Sequence, residues 1–146
     1  MENVWQTAKS MEREGIAFYQ KLSNETKSDR LAGLFYFLSQ QELDHLNFFD
    51  TIENKLTINT TERNNPPESV TEAFEKIKPD LSSSTLPKSE KETYKIALTM
   101  ETKAIEYYSS LLEQATDDNQ RLALKIIINE EKNHESMMRE MVESME

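Results

Sequence analysis

The sequence predicts an all-α protein: a four-helix bundle made of two antiparallel helical hairpins joined by a long crossover. Three observations predict it. Apolar residues recur at helical spacing in four stretches, roughly 2–26, 29–56, 89–115 and 118–144. Two of the three connections are only a few residues long, which forces antiparallel neighbours. Finally, 146 residues contain only two glycines and four prolines, so little of the chain is punctuated by turns.

In the first stretch Trp5, Ala8, Gly15, Tyr19 and Leu22 fall on one face. Thr26-Lys27-Ser28-Asp29 follows, rich in residues that cap helix N-termini. The second stretch carries Leu31, Leu34, Phe35, Leu38, Phe49 and Ile52 on its apolar face. The segment 57–87 holds all four prolines, and Val70, Phe74 and Ile77 are spaced to line a short helix between Pro67 and Pro79. A connector of that length can run back along the bundle, and the second hairpin is expected to start at the same end as the first. The third stretch offers Tyr94, Ala97, Ala104, Tyr108, Leu111 and Leu112. Thr116-Asp117-Asp118-Asn119 closes the second hairpin, with Asp117 and Gln120 spaced for a capping box. The fourth stretch presents Leu124, Ile127, Met138, Met141 and Met145. Each stretch is about 25 residues, or ~38 Å of helix.

The length suits one domain spanning 1–146. A formal net charge of −10 argues against nucleic acid or an anionic membrane as partner. No apolar run approaches the ~18 residues of a membrane span, and no signal-peptide pattern opens the chain, so a cytoplasmic location is expected. The chain has no cysteine, which excludes disulfides, thiolate metal sites and thiol nucleophiles. Any transition metal must be held by imidazole and carboxylate, ligands that suit iron, manganese or zinc.

The chain also repeats itself. An offset of 89 residues superposes Ala8 on Ala97, Met11 on Met100, Glu12 on Glu101, Ile16 on Ile105, Tyr19 on Tyr108 and Leu22 on Leu111. The same offset carries Glu42 onto Glu131 and His45 onto His134. This is a duplicated hairpin with pseudo-twofold symmetry.

Some acidic residues fall where none should be. At 100° per residue Glu12 lies about 40° from Ala8, inside the apolar arc, whereas Glu14 lies well outside it. Glu42 and His45 share the stripe of Leu38, Glu101 sits among Ala97, Ala104 and Tyr108, and Glu131 and His134 share the stripe of Ile127 and Met138. Glu106 points away. Bare carboxylates in a core cost several kcal/mol each or stay protonated. Four carboxylates and two divalent ions sum to zero charge, and a Glu-x-x-His pair places two ligands on one helix face. Only two histidines exist in the chain, and both complete that motif. A Glu from each of two helices plus Glu-x-x-His from each of the other two is a known di-metal bundle pattern. The predicted ligands are therefore Glu12, Glu42, His45, Glu101, Glu131 and His134, holding two metal ions, iron foremost. Glu42 and Glu131 would bridge, Glu12 with His45 would complete one ion, and Glu101 with His134 the other. The competing reading is a core in which Glu and His merely pair. Tyr19 and Tyr108, two turns beyond Glu12 and Glu101 on the same face, are candidates to donate hydrogen bonds to ligand carboxylates. Trp5 and the methionines of the last stretch read as packing. Because the repeat relates them, His45→Ala and His134→Ala are expected to impair metal binding equally.

Both hairpins resemble the rubrerythrin-like branch of the ferritin-like superfamily. The resemblance rests on Met11-Glu12-Arg13-Glu14-Gly15-Ile16-Ala17-Phe18-Tyr19, on Glu42-Leu43-Asp44-His45, and on their repeats Met100-Glu101 through Tyr108 and Glu131-Lys132-Asn133-His134. Two departures stand out. Rubrerythrins proper carry a cysteine-rich rubredoxin domain, for which this chain has no cysteine, and they use a further glutamate where this chain has Ala104. The remaining ligand set is similar to that of bacterioferritin. The resemblance implies a homodimeric di-iron oxidoreductase that reduces hydrogen peroxide, or O₂, with electrons from an external donor such as a rubredoxin or a flavoprotein. An iron-binding, ferroxidase or storage role is the alternative, and a manganese catalase or an oxygenase a third reading. For an oxygenase, the bulky stripes predict no room for a substrate.

Overall fold

The computed structural model describes residues 3–54 and 88–144. Four helices occupy them: α1 (Val4–Glu25), α2 (Asp29–Glu53), α3 (Lys88–Gln114) and α4 (Asp118–Ser144). The helix limits agree with the periodicity to within three residues at each end that falls inside the described residues. The crossover at 57–87, with its expected short helix, and Met145 lie outside them. None of the described helices is long and apolar enough to cross a membrane.

Local chemistry sets the helix ends. Asn3 caps α1 in a full capping box: its side chain accepts from the Gln6 N–H, and the Gln6 side chain accepts from the Asn3 N–H. Ser28 caps α2 by accepting from the Leu31 N–H at 3.3 Å. At α4, Asp117 Oδ1 accepts from the Gln120 N–H at 2.8 Å, as the spacing predicts. The return half differs. Gln120 Oε1 accepts from the Thr116 N–H, one residue before the expected Asp117, at 2.8 Å. The longer reach also lets it take the Thr116 hydroxyl at 3.1 Å.

Each hairpin is antiparallel. Lys9 near the start of α1 pairs with Asp50 and Glu53 near the end of α2, at 3.1 and 2.7 Å. The two hairpins meet along α1–α3 and α2–α4. The core forms two apolar clusters at opposite ends of the bundle. One joins Tyr19, Leu31, Phe35 and Leu38 to Tyr94, Ala97, Met138 and Met141. The other joins Val4, Trp5, Phe49 and Ile52 to Tyr108, Leu111, Leu124 and Ile127.

These clusters correct the expected direction of the second hairpin. The start of α3 packs beside the end of α1, so α3 runs antiparallel to α1 and begins at the opposite end of the bundle. Since α2 returns to the end where α1 starts, a chain that runs back along the bundle must re-enter at the far end. The pseudo-twofold therefore lies across the bundle axis, and Glu12 and Glu101 both fall between the two apolar clusters.

Candidate metal centre

Between the two clusters lies a polar layer. Glu12, Glu42, His45, Glu101, Glu131 and His134 are each at most 6% exposed, whereas Glu14 and Glu106 face solvent. The predicted stripes are thus the buried ones, because a helix fixes each Cβ direction through its backbone alone.

The six residues form two overlapping groups. In the first, Glu12, Glu42, His45 and Glu131 each bring one ligand atom within 4.8 Å of the others, an arrangement able to hold a metal ion. In the second, Glu42, Glu101, Glu131 and His134 do the same. Glu42 and Glu131 belong to both. The imidazoles stack with centroids 6.1 Å apart and planes 14° from parallel, as repeat mates across a twofold should. Both turn Nδ1 toward Glu131, His45 at 3.0 Å from Oε1 and His134 at 3.7 Å from Oε2. His45 Nδ1 also lies 3.4 Å from Glu12 Oε1.

The donor set fits a cation better than mutual pairing. Glu12 Oε2, His45 Nδ1, Glu101 Oε2, both Glu131 oxygens and His134 Nδ1 are buried without a hydrogen-bond partner. Each such atom costs ~1–3 kcal/mol when left unsatisfied. The close Glu–His approaches lack hydrogen-bond alignment, so pairing alone does not satisfy these atoms. One positive centre per group would engage them together.

Protonation carries the same strain. Burial, and then the charge of Glu12, push the Glu42 carboxyl well above the ordinary glutamate range. Burial and neighbouring Glu131 do the same to Glu101. For Glu131 burial also acts upward, but Glu101, His134 and His45 outweigh it and hold its carboxyl well below that range. Burial would lower His45, yet Glu12, Glu130 and Glu131 raise it well above the ordinary imidazole value. Metal-free, the layer holds protons where a metal would carry the positive charge.

Tyr19 and Tyr108 are buried and both reach carboxylates, but crosswise. Tyr19 Oη donates to Glu101 Oε1 and Tyr108 Oη donates to Glu12 Oε1, the latter at 2.5 Å. Two turns along a helix are too far for a tyrosine to reach the glutamate of its own helix. The antiparallel α1–α3 pairing instead brings each to the other's glutamate. Burial, followed by the adjacent carboxylate, pushes both hydroxyls well above their usual range, so both stay protonated and donate.

One participant was not predicted. Glu130, 7% exposed, places Oε1 3.2 Å from His45 Nε2. It orients the imidazole so that Nδ1 faces the layer. Its signal lies on the wheel, about 60° from Ile127 at the margin of the apolar arc. The repeat hid it, because the mate of Glu130 is Gln41. The two histidines are therefore not equivalent, contrary to the expectation from the repeat.

The seam between α1 and α3 holds a cavity of about 410 Å³ that reaches Glu42, Glu101 and Glu131. This corrects the expectation of no substrate space. The bulky stripe residues fill the two end clusters, but the cavity lining includes the small residues Gly15 and Ala104, again repeat mates. Gly15 allows a close approach: a Cβ there would sit 2.9 Å from Glu42 Oε2.

No curated protein and no solved structure matches the chain. A family model described as Rubrerythrin matches residues 3–142, nearly the whole length, and takes in the four described helices but for the last two residues of α4. The chain belongs to the Rubrerythrin family.

Proposed function

We propose that this protein is a di-iron oxidoreductase that reduces hydrogen peroxide with electrons from an external donor, such as a separate rubredoxin or a flavoprotein. The observation that carries the reading is the pair of overlapping four-ligand groups sharing Glu42 and Glu131, in a chain of the Rubrerythrin family. Glu12, Glu42, His45 and Glu131 would hold one ion, and Glu42, Glu101, Glu131 and His134 the other. A ferrous pair, when bound, supplies the two electrons that an O–O bond takes up on cleavage. The protein's own residues do the rest. Tyr19 and Tyr108 hold Glu101 and Glu12 in place by donating to them, Glu130 sets the ring of His45, and the two apolar clusters shield the layer from water at both ends. The α1–α3 cavity gives the oxidant its way in.

Ala104 favours a second reading, iron handling by a ferroxidase-type site, since the further carboxylate of rubrerythrins is missing there. Stopped-flow oxidation of the anaerobic Fe(II)-loaded protein separates the two. Under the peroxidase reading hydrogen peroxide oxidises the iron at least about tenfold faster than O₂. Faster reaction with O₂, accompanied by continued iron uptake, overturns it in favour of iron handling.

A further inference from the structure

The α1–α3 cavity is larger than hydrogen peroxide needs. At about 410 Å³ it falls within the ~300–1,000 Å³ typical of sites for organic ligands. Hydrogen peroxide is comparable in size to a water molecule or two, each of which takes about 30 Å³ of liquid. The lining is graded from outside to inside. Met11 and Phe18 on α1 and Met100 and Tyr107 on α3 supply its apolar surface beside Thr7 and Ser10, and are less buried than the carboxylates. Glu42, Glu101 and Glu131 form the polar floor. Glu14 and Lys103 also line the cavity with opposite charges, and the carboxylates of the floor disfavour an anionic ligand. Met100 and Tyr107 are 36% and 51% exposed, which leaves the apolar surface accessible from solvent.

A neutral molecule with an apolar tail and a small oxygen-bearing end matches this grading. We propose that the cavity is a substrate pocket for an uncharged organic hydroperoxide, with the O–O end on the carboxylate floor and the tail between Met11, Phe18, Met100 and Tyr107. The proposal rests on the peroxide-reducing reading above and names a further substrate class for the same site. The reaction balances as ROOH plus two electrons and two protons giving ROH and water. The O–O bond breaks, the external donor supplies both electrons through the loaded site, and solvent supplies the protons. Ala104 then limits the size of tail admitted, because a larger side chain there fills part of the cavity.

The test begins without metal. Methyl-labelled methionine resonances are followed while 2-phenylpropan-2-ol, the alcohol product of cumene hydroperoxide, is added to the metal-free protein. Met11 and Met100 should shift saturably, while Met138 and Met141, packed in an end cluster, should not. Ala104→Leu should weaken this binding at least about tenfold. In the iron-loaded protein the same variant should slow cumene hydroperoxide reduction at least about tenfold more than it slows hydrogen peroxide reduction. Met100→Trp, at an exposed position, provides a second variant with the same expectation should Ala104→Leu fold poorly. Silent Met11 and Met100 methyls alongside intact hydrogen peroxide reduction overturn the pocket alone. Equal slowing of both peroxides does so too. Methyl shifts that follow protein concentration instead of alcohol also overturn it, and show a second copy covering the seam. Alcohol binding with neither peroxide reduced overturns the reaction proposed above, and the substrate with it.

Discussion

Glu131 and Glu12 differ in one respect that stability measurements should detect. Glu131 belongs to both ligand groups, Glu12 to one. Metal bound only by the folded protein stabilises it by about 2.7 kcal/mol per site when the free metal stands at a hundred times Kd. Two sites give about 5 kcal/mol. At roughly 3 °C per kcal/mol for a chain of this size, the melting temperature should rise by about 15 °C. Glu12→Gln keeps the side-chain volume and removes one group's carboxylate, so the rise should fall to about 8 °C. Glu131→Gln removes a ligand from both groups, leaving a rise of no more than about 2 °C. The assay is anaerobic thermal denaturation by far-UV circular dichroism, with and without Fe(II), for all three proteins. Taking the difference within each protein cancels whatever the substitution does to the metal-free fold. Equal losses in Glu12→Gln and Glu131→Gln would refute the shared-ligand arrangement. No rise in the unsubstituted protein would refute the metal site altogether.

Other outcomes follow from single contacts. Glu130→Gln should weaken metal binding by about 10–100-fold, read by competition with a chelator, because His45 loses its orienting carboxylate. His45→Ala should accordingly impair binding more than His134→Ala. Gly15→Ala should raise the melting temperature of the metal-free protein by up to about 3 °C, from about 1 kcal/mol of helix propensity, yet shrink the increment from metal. The reason is the displaced Glu42 carboxylate, 2.9 Å from the new Cβ. The metal-free protein should also melt lower at pH 8 than at pH 5.5. Glu42 and Glu101 are raised above 4.5 and His45 above 6.5, so the folded state holds protons that the unfolded chain releases. The stability from these groups is complete below those ordinary values and is lost as pH rises through the folded ones. Glu131 has the opposite sign: its contribution is present above 4.5 and disappears as pH falls through its lowered value. Loaded protein should show the reverse trend over the same range, since metal must displace the protons. A metal-free melting temperature that climbs between pH 5.5 and pH 8 would contradict these shifts.

What the sequence determined by itself was everything that depends on one helix at a time. Periodicity located all four described helices and put Glu12, Glu42, His45, Glu101, Glu131 and His134 on buried faces, because side-chain direction along a helix is set by its own backbone. The 89-residue repeat then paired the two halves. What joins separate segments was decided only in three dimensions. The direction of α3 against α1 depends on where the chain re-enters the bundle, and it sends Tyr19 to Glu101 and Tyr108 to Glu12 instead of along their own helices. Glu130 acquires its role from His45, 85 residues away in sequence, and no wheel of α4 alone contains that contact. Gly15 and Ala104 both line the cavity in the α1–α3 seam. Each is an ordinary small residue in its own helix, and only the packing of α1 beside α3 brings both to a cavity that reaches the carboxylates.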